Sequence, residues 1–217
     1  MISNRIFIIG LPRSATTSVC KAFVELGFKT AHTAYIQKTF DEAQVIADTP
    51  IFCDYQQLDT YYPNSKFINL VRPLDVWVPS IRQLLQRMLH NLQRDDGGFN
   101  PYLRRCYHDV FSPLTLENIN NDEFLINCFE RHQQSITQYF LNREDDLLTI
   151  DVTHSNSYQQ LLDFVNIKNA PTNDFSRVNI GGKVTAWKQV NSDLKIESTR
   201  RGRIDKLDYL LQESTLR

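Results

Sequence analysis

The chain has 217 residues, 41% of them hydrophobic and 23% charged. That balance excludes a fibrous repeat or a disordered chain, and the length suits one compact domain over residues 1–217 with a helical elaboration. Lys and Arg number 24 against 25 Asp and Glu, so there is no global positive field to hold a nucleic acid, and any anion site must be local. No apolar stretch approaches the roughly 20 residues that cross a bilayer. The run from Ile6 to Ile9 is too short for a secretion signal, so we expect a cytoplasmic protein without a membrane span.

Arg5 to Gly10 (RIFIIG) is a β-prone run without polar alternation, the pattern of a strand buried on both faces of a parallel sheet. The loop LPRSATTS follows. Then Val19, Ala22, Phe23 and Leu26 recur at helical spacing and stop at Gly27, a C-cap candidate. Phe28 to Thr30 is expected as a second strand, Pro50 to Cys53 as a further short strand, and Lys66 to Val71 (KFINLV) as a stronger one. The apolar positions from Val76 to Leu89 predict a long helix with a kink or restart at Pro79. Beyond an exposed turn at Asp95 to Gly98, Asp122 to Leu141 reads as an amphipathic helix. Leu147 to Asp151 then reads as a buried strand and Tyr158 to Val165 as the helix behind it. Asn169 to Lys183 reads as a loop and the charged tail from Asn191 as a helix. Alternating strands and helices imply a parallel α/β sheet. The four cysteines form no C-x-x-C pair and are expected as buried free thiols.

Gly10 to Thr17 lies where a buried strand turns into a helix, so its amides and the positive helix end converge on an anion. Against the nucleotide-triphosphate loop G-x-x-x-x-G-K-[ST], Ala15 and Thr16 stand where the second Gly and the Lys belong. Pro12-Arg13-Ser14-Ala15-Thr16-Thr17 instead resembles the first signature of the sulfotransferases that use 3′-phosphoadenosine-5′-phosphosulfate (PAPS), P-[KR]-[ST]-G-T-T. Ala15 replaces its Gly, a difference that matters if the residue takes a positive φ. Arg72 closing a strand, Pro73, and Ser80 eight residues after Arg72 resemble the second signature, in which Arg and Ser hold the 3′-phosphate. Gly181-Gly182-Lys183, with Trp187-Lys188 beyond, resembles the glycine-and-basic stretch that closes over the nucleotide. The bland readings are a βα turn, a strand-end charge with a helix cap beside Pro79, and an ordinary Gly-Gly-Lys turn.

The resemblance implies a P-loop-type, three-layer α/β fold with a central parallel sheet flanked by helices, and PAPS lying across the strand ends. Pro12 to Ser18, Arg72, Ser80, Gly182 and Lys183 would bind PAPS. The reaction would be in-line transfer of a sulfuryl group to a small-molecule or glycan acceptor, with adenosine 3′,5′-bisphosphate leaving and Arg13 stabilising its growing charge. No metal is called for. The base is open among His32, Asp48 and Asp54, which otherwise read as a loop residue and two caps. His90, His108, His132 and His154 show no partner in the sequence. A small-metabolite kinase would need the lysine this loop lacks, and a degenerate nucleotide-binding protein would leave PAPS unused.

Overall fold

The computed structural model describes residues 5–94, 96, 98–170, 174–175, 179–180, 183–184 and 187–198. In chain order the elements are β1 (Ile6–Ile8), α1 (Thr16–Glu25), β2 (Thr30–Ala31), α2 (Gln37–Glu42), β3 (Val45–Ala47), α3 (Ile51–Tyr61) and β4 (Lys66–Leu70). There follow α4 (Leu74–Gln93), α5 (Pro101–Phe111), α6 (Leu116–Asn120), α7 (Asp122–Tyr139), β5 (Leu147–Ile150) and α8 (Ser157–Phe164), then β6 (Asn179–Ile180) and β7 (Lys183–Val184).

Five strands make one parallel sheet in the order β2-β3-β1-β4-β5. Its central strand has no polar alternation because both faces are covered. Ile6 and Ile8 pack with Val19 and Phe23 of α1 and Leu161 of α8, while Phe7 and Ile9 pack with Tyr55 and Leu58 of α3 and Ile136 of α7. This is the α/β, helix-flanked parallel sheet expected from the sequence. The helical elaboration has its own core, where Trp77, Ile81 and Leu85 of α4 meet Phe111 of α5, Ile119 of α6 and Phe129 of α7. After β1 the chain goes to one edge of the sheet, and it returns at β4 on the other side. The strand ends around β1 therefore open a crevice.

Gly27 closes α1 with φ +90°. The Gly27 amide donates to the Val24 carbonyl and that of Phe28 to the Phe23 carbonyl, with the Phe23 and Phe28 rings 5.4 Å apart. That is a Schellman end with its apolar contact.

Four expectations need correction. The short strand lies at Val45–Ala47, and Pro50 to Cys53 instead starts α3, because Asp48 takes φ 57° and turns the chain before Pro50 reaches the N-cap. Helix α4 runs through Pro79 as one element. Asp75 and Pro79 are both exposed, so the carbonyl left without its bond faces water. Within the expected loop from Asn169 to Lys183, β6 and β7 pair antiparallel. Of the tail, residues 191–198 are not helical, and the remainder lies outside the described residues. Lys195 bridges Thr30 in parallel, the Thr30 amide donates to Leu194 and that of Ile196 donates to Thr30. This segment therefore covers the outer edge of β2.

All four cysteines are free; Cys20, Cys106 and Cys128 are buried and Cys53 is half-buried. Among the described residues no helix is long and apolar enough to cross a membrane.

Candidate active site

The loop after β1 sits at the crevice and is shaped by three backbone features. Gly10 is required for close approach, since a Cβ there would fall 2.6 Å from Leu70 Cβ and 2.8 Å from the Leu70 carbonyl of β4. Arg13 and Ala15 both take left-handed conformations, φ 74° and 72°, which turns successive amides to one side as in an anion nest. Thr16 then opens α1; the Ser18 amide donates to the Ala15 carbonyl at 3.0 Å, and the amides of Thr16 and Thr17 make no backbone hydrogen bond among the described residues. Ser14 Oγ donates to the Leu11 carbonyl at 2.5 Å, and Trp77 Nε1 of α4 donates to the Pro12 carbonyl at 3.0 Å, so the loop is tied from within and from below.

Arg13 joins the two motifs. Its Nε donates to Ser80 Oγ at 2.8 Å, and its carbonyl accepts from Arg72 Nη1 at 3.0 Å. Burial first, then the neighbouring Arg87 and Arg72, lower its pKa. Cations gathered this way favour a polyanionic ligand.

His32, just beyond β2, reaches the same loop. Its Nε2 lies 3.2 Å from Thr16 Oγ1 and 3.0 Å from Thr17 Oγ1, and its Nδ1 lies 3.9 Å from Asp48 Oδ2. The ring stacks on Trp187 with centroids 5.8 Å apart. Burial lowers the imidazole pKa against the pull of Asp48, so the ring is neutral near pH 7. Asp48 ends β3 in the left-handed turn and accepts at Oδ1 from Thr49 Oγ1 at 3.1 Å.

A cavity of about 770 Å³ collects these groups. Pro12 to Ser18, His32, Asp48 and Arg72 line it. Ser80 stands behind Arg13, off the lining. Asp54 is elsewhere: it sits in the first turn of α3, where Arg105 Nη2 of α5 meets its Oδ2 at 2.5 Å, and burial raises its pKa against the pull of that arginine. Gly181 and Gly182 lie outside the described residues, as does the side chain of Lys183, the first residue of β7.

Other lining residues escaped the sequence reading. Leu84 and Met88 of α4, and Leu103 and Tyr107 of α5, supply apolar lining, and Asp151 to Ser155 follow β5. Asp151 offered a signal, a polar residue closing an apolar run, although β5 is an edge strand with only Ile150 buried rather than the buried strand expected; the wall residues offered none, because a lining face of a helix reads like a core face. Of the histidines without a partner in the sequence, His154 lines the cavity, and His132 Nε2 meets the Ile9 carbonyl at 2.9 Å, just before the loop.

No curated protein matches the chain. The family model described as Sulfotransferase domain matches residues 33–184, well over half of the chain; the match starts beyond the loop and takes in Asp48, Arg72, Ser80 and all of α5. With its helix-flanked parallel sheet and that match, the chain belongs to the sulfotransferase family, whose members transfer sulfuryl groups.

Proposed function

We propose that the protein moves a sulfuryl group from PAPS to a small acceptor and releases adenosine 3′,5′-bisphosphate, as a cytoplasmic enzyme. The observation that carries this reading is the convergence, in one cavity, of the open-amide loop, Arg13 and Arg72 without an ion-pair partner among the described residues, and the Asp48 carboxylate. The loop suits a 5′-phosphosulfate, and Arg72 with Ser80 and Arg13 suits a 3′-phosphate. Four free cysteines suit a reducing compartment.

Among the candidate bases Asp48 fits best. Nε2 of His32 is taken up by the hydroxyls of Thr16 and Thr17, and Asp54 is held by Arg105 away from the cavity. Asp48 lines the cavity, its Oδ2 accepts no hydrogen bond among the described residues, and its backbone is left-handed, a form of strain that gathers at functional positions. The acceptor oxygen attacks sulfur, the bond from sulfur to the bridging oxygen breaks with its electron pair leaving on the bisphosphate, and the acceptor proton passes to Asp48. His32 orients the hydroxyls of Thr16 and Thr17. Loop amides and Arg13 stabilise the charge that grows on the leaving phosphate.

Thermal shift and turnover test this together. Adenosine 3′,5′-bisphosphate should raise the melting temperature more than ATP with magnesium does, by mass action on the native state. Asp48→Asn should keep that shift while turnover of PAPS falls about 10²–10⁴-fold, the usual worth of a general base. Stabilisation by ATP that equals or exceeds that by the bisphosphate would overturn the reading.

A further inference from the structure

The cavity has two unlike sides. The ends of β4 and β5 supply Arg72 and the polar run Asp151 to Ser155, with Ser80 behind. The ends of β2 and β3 supply His32 and Asp48, Tyr107 of α5 is a neighbour of Asp48, and Leu84, Met88 and Leu103 line the same cavity from α4 and α5. A nucleotide anchored at Arg72 and the loop occupies the first side. The second side stays open beside the carboxylate that takes the proton.

Tyr107 is the one polar group of that apolar wall. Its side chain is 4% exposed. The ring is held edge-on by Phe52 at 6.2 Å and packs tilted on Phe111 at 5.8 Å. No described residue accepts from or donates to its hydroxyl, although buried phenols generally find a partner. Asp48 and Arg13 are its charged neighbours, from β3 and from the loop, and Tyr35 and Cys106 are the other titratable groups near it. A ring packed this tightly, whose hydroxyl makes no hydrogen bond to a described residue and lines the cavity, is placed to serve as a recognition group for a ligand.

We propose that the space between Asp48 and the α4–α5 wall binds an acceptor with a free hydroxyl on an apolar, aromatic-sized body, oriented by a hydrogen bond with the Tyr107 hydroxyl. This rests on the sulfuryl-transfer reading. Leu84, Met88 and Leu103 offer apolar area and no hydrogen bonds, so they stabilise an apolar body by removing it from water. A carbohydrate is rejected by the same wall. It carries a hydroxyl on nearly every carbon, and each one desolvated there without a partner weakens binding.

The test uses the full chain loaded with adenosine 3′,5′-bisphosphate, and titration calorimetry with 2-naphthol and with N-acetylglucosamine. Saturable binding of 2-naphthol and none of the sugar is expected. Tyr107→Phe, which keeps the ring packing, should weaken 2-naphthol about tenfold, and Met88→Glu should abolish its binding. Both variants should hold the bisphosphate as wild type does. Unchanged 2-naphthol binding in Tyr107→Phe, or sugar binding in preference to 2-naphthol, overturns the pocket while the donor reading stands. If the bisphosphate does not bind wild type, yet 2-naphthol binds the free protein and is weakened by Tyr107→Phe, the donor reading falls and the pocket stands.

Discussion

Ala15 holds φ 72° and ψ 26°, a conformation in which a Cβ crowds the backbone. For an L-residue that costs about 1–2 kcal/mol. Glycine would remove this cost, at a loss of about 0.4–1 kcal/mol from the greater freedom of its unfolded chain. Ala15 lines the cavity and is only half-buried, so little packing is lost. Ala15→Gly should therefore stabilise the protein by about 0.5–1 kcal/mol, measurable as a higher urea midpoint at unchanged slope; a lower midpoint would mean that the methyl itself supports the loop. The resemblance marked this position because the residue type there departs from the motif, and only the backbone showed that the departure carries strain. Other residue-scale facts were closed to the sequence for physical reasons. Arg13 and Ser80 lie 67 residues apart, and nothing in either says that they meet. Asp48 and Asp54 flank Pro50 alike, and which one faces the cavity depends on a left-handed turn that leaves no compositional mark.

Between elements, Asp54 and Arg105 join α3 to α5 and so hold up the wall that carries Leu103 and Tyr107. Removing one member of such a pair leaves a buried charge without its partner. Asp109 still meets Arg105 Nη1 at 3.0 Å, which limits the damage. Asp54→Ala should cost about 3 kcal/mol, and the double variant Asp54→Leu with Arg105→Met should recover most of it. A single variant that loses under about 1 kcal/mol in urea unfolding would show the pair to be dispensable. Elements with enough length or an end signal were legible: β1, β4 and β5 as apolar runs, α1 by its terminal glycine, α7 by its period. Strand β3 was not, because three residues cannot display a period and its buried pairing comes from β1 and β2, far along the chain. The segment around α5 was equally silent, since its apolar face serves core and cavity together.

At the scale of the whole molecule, the sheet and the helical layer are tied by His132, which reaches from α7 to the Ile9 carbonyl. Burial lowers its pKa to about 4. Unfolded histidine binds its proton near pH 6.5, so the unfolded chain takes up a proton that the folded protein refuses. The stability from this group is complete above about pH 6.5 and is lost as pH falls toward 4, by about 3 kcal/mol. His32, also lowered by burial, adds a loss of the same sign. His132→Gln keeps a donor for Ile9 and should flatten the stability-against-pH curve between pH 6.5 and 4; a curve as steep as that of wild type would assign the acid sensitivity elsewhere. The strip from Leu194 to Ile196 has a consequence of another kind. It covers the outer edge of β2 and belongs to the same segment as Trp187, which stacks on His32. Synthesis proceeds from the N-terminus, so a chain still on the ribosome has already made β1 to β5 while β2 presents an unpaired edge, a template for pairing with other chains. The same late segment closes that edge and completes the histidine stack. A nascent chain thus gains protection from aggregation and a finished site at one moment, and a chain stalled before residue 187 has neither.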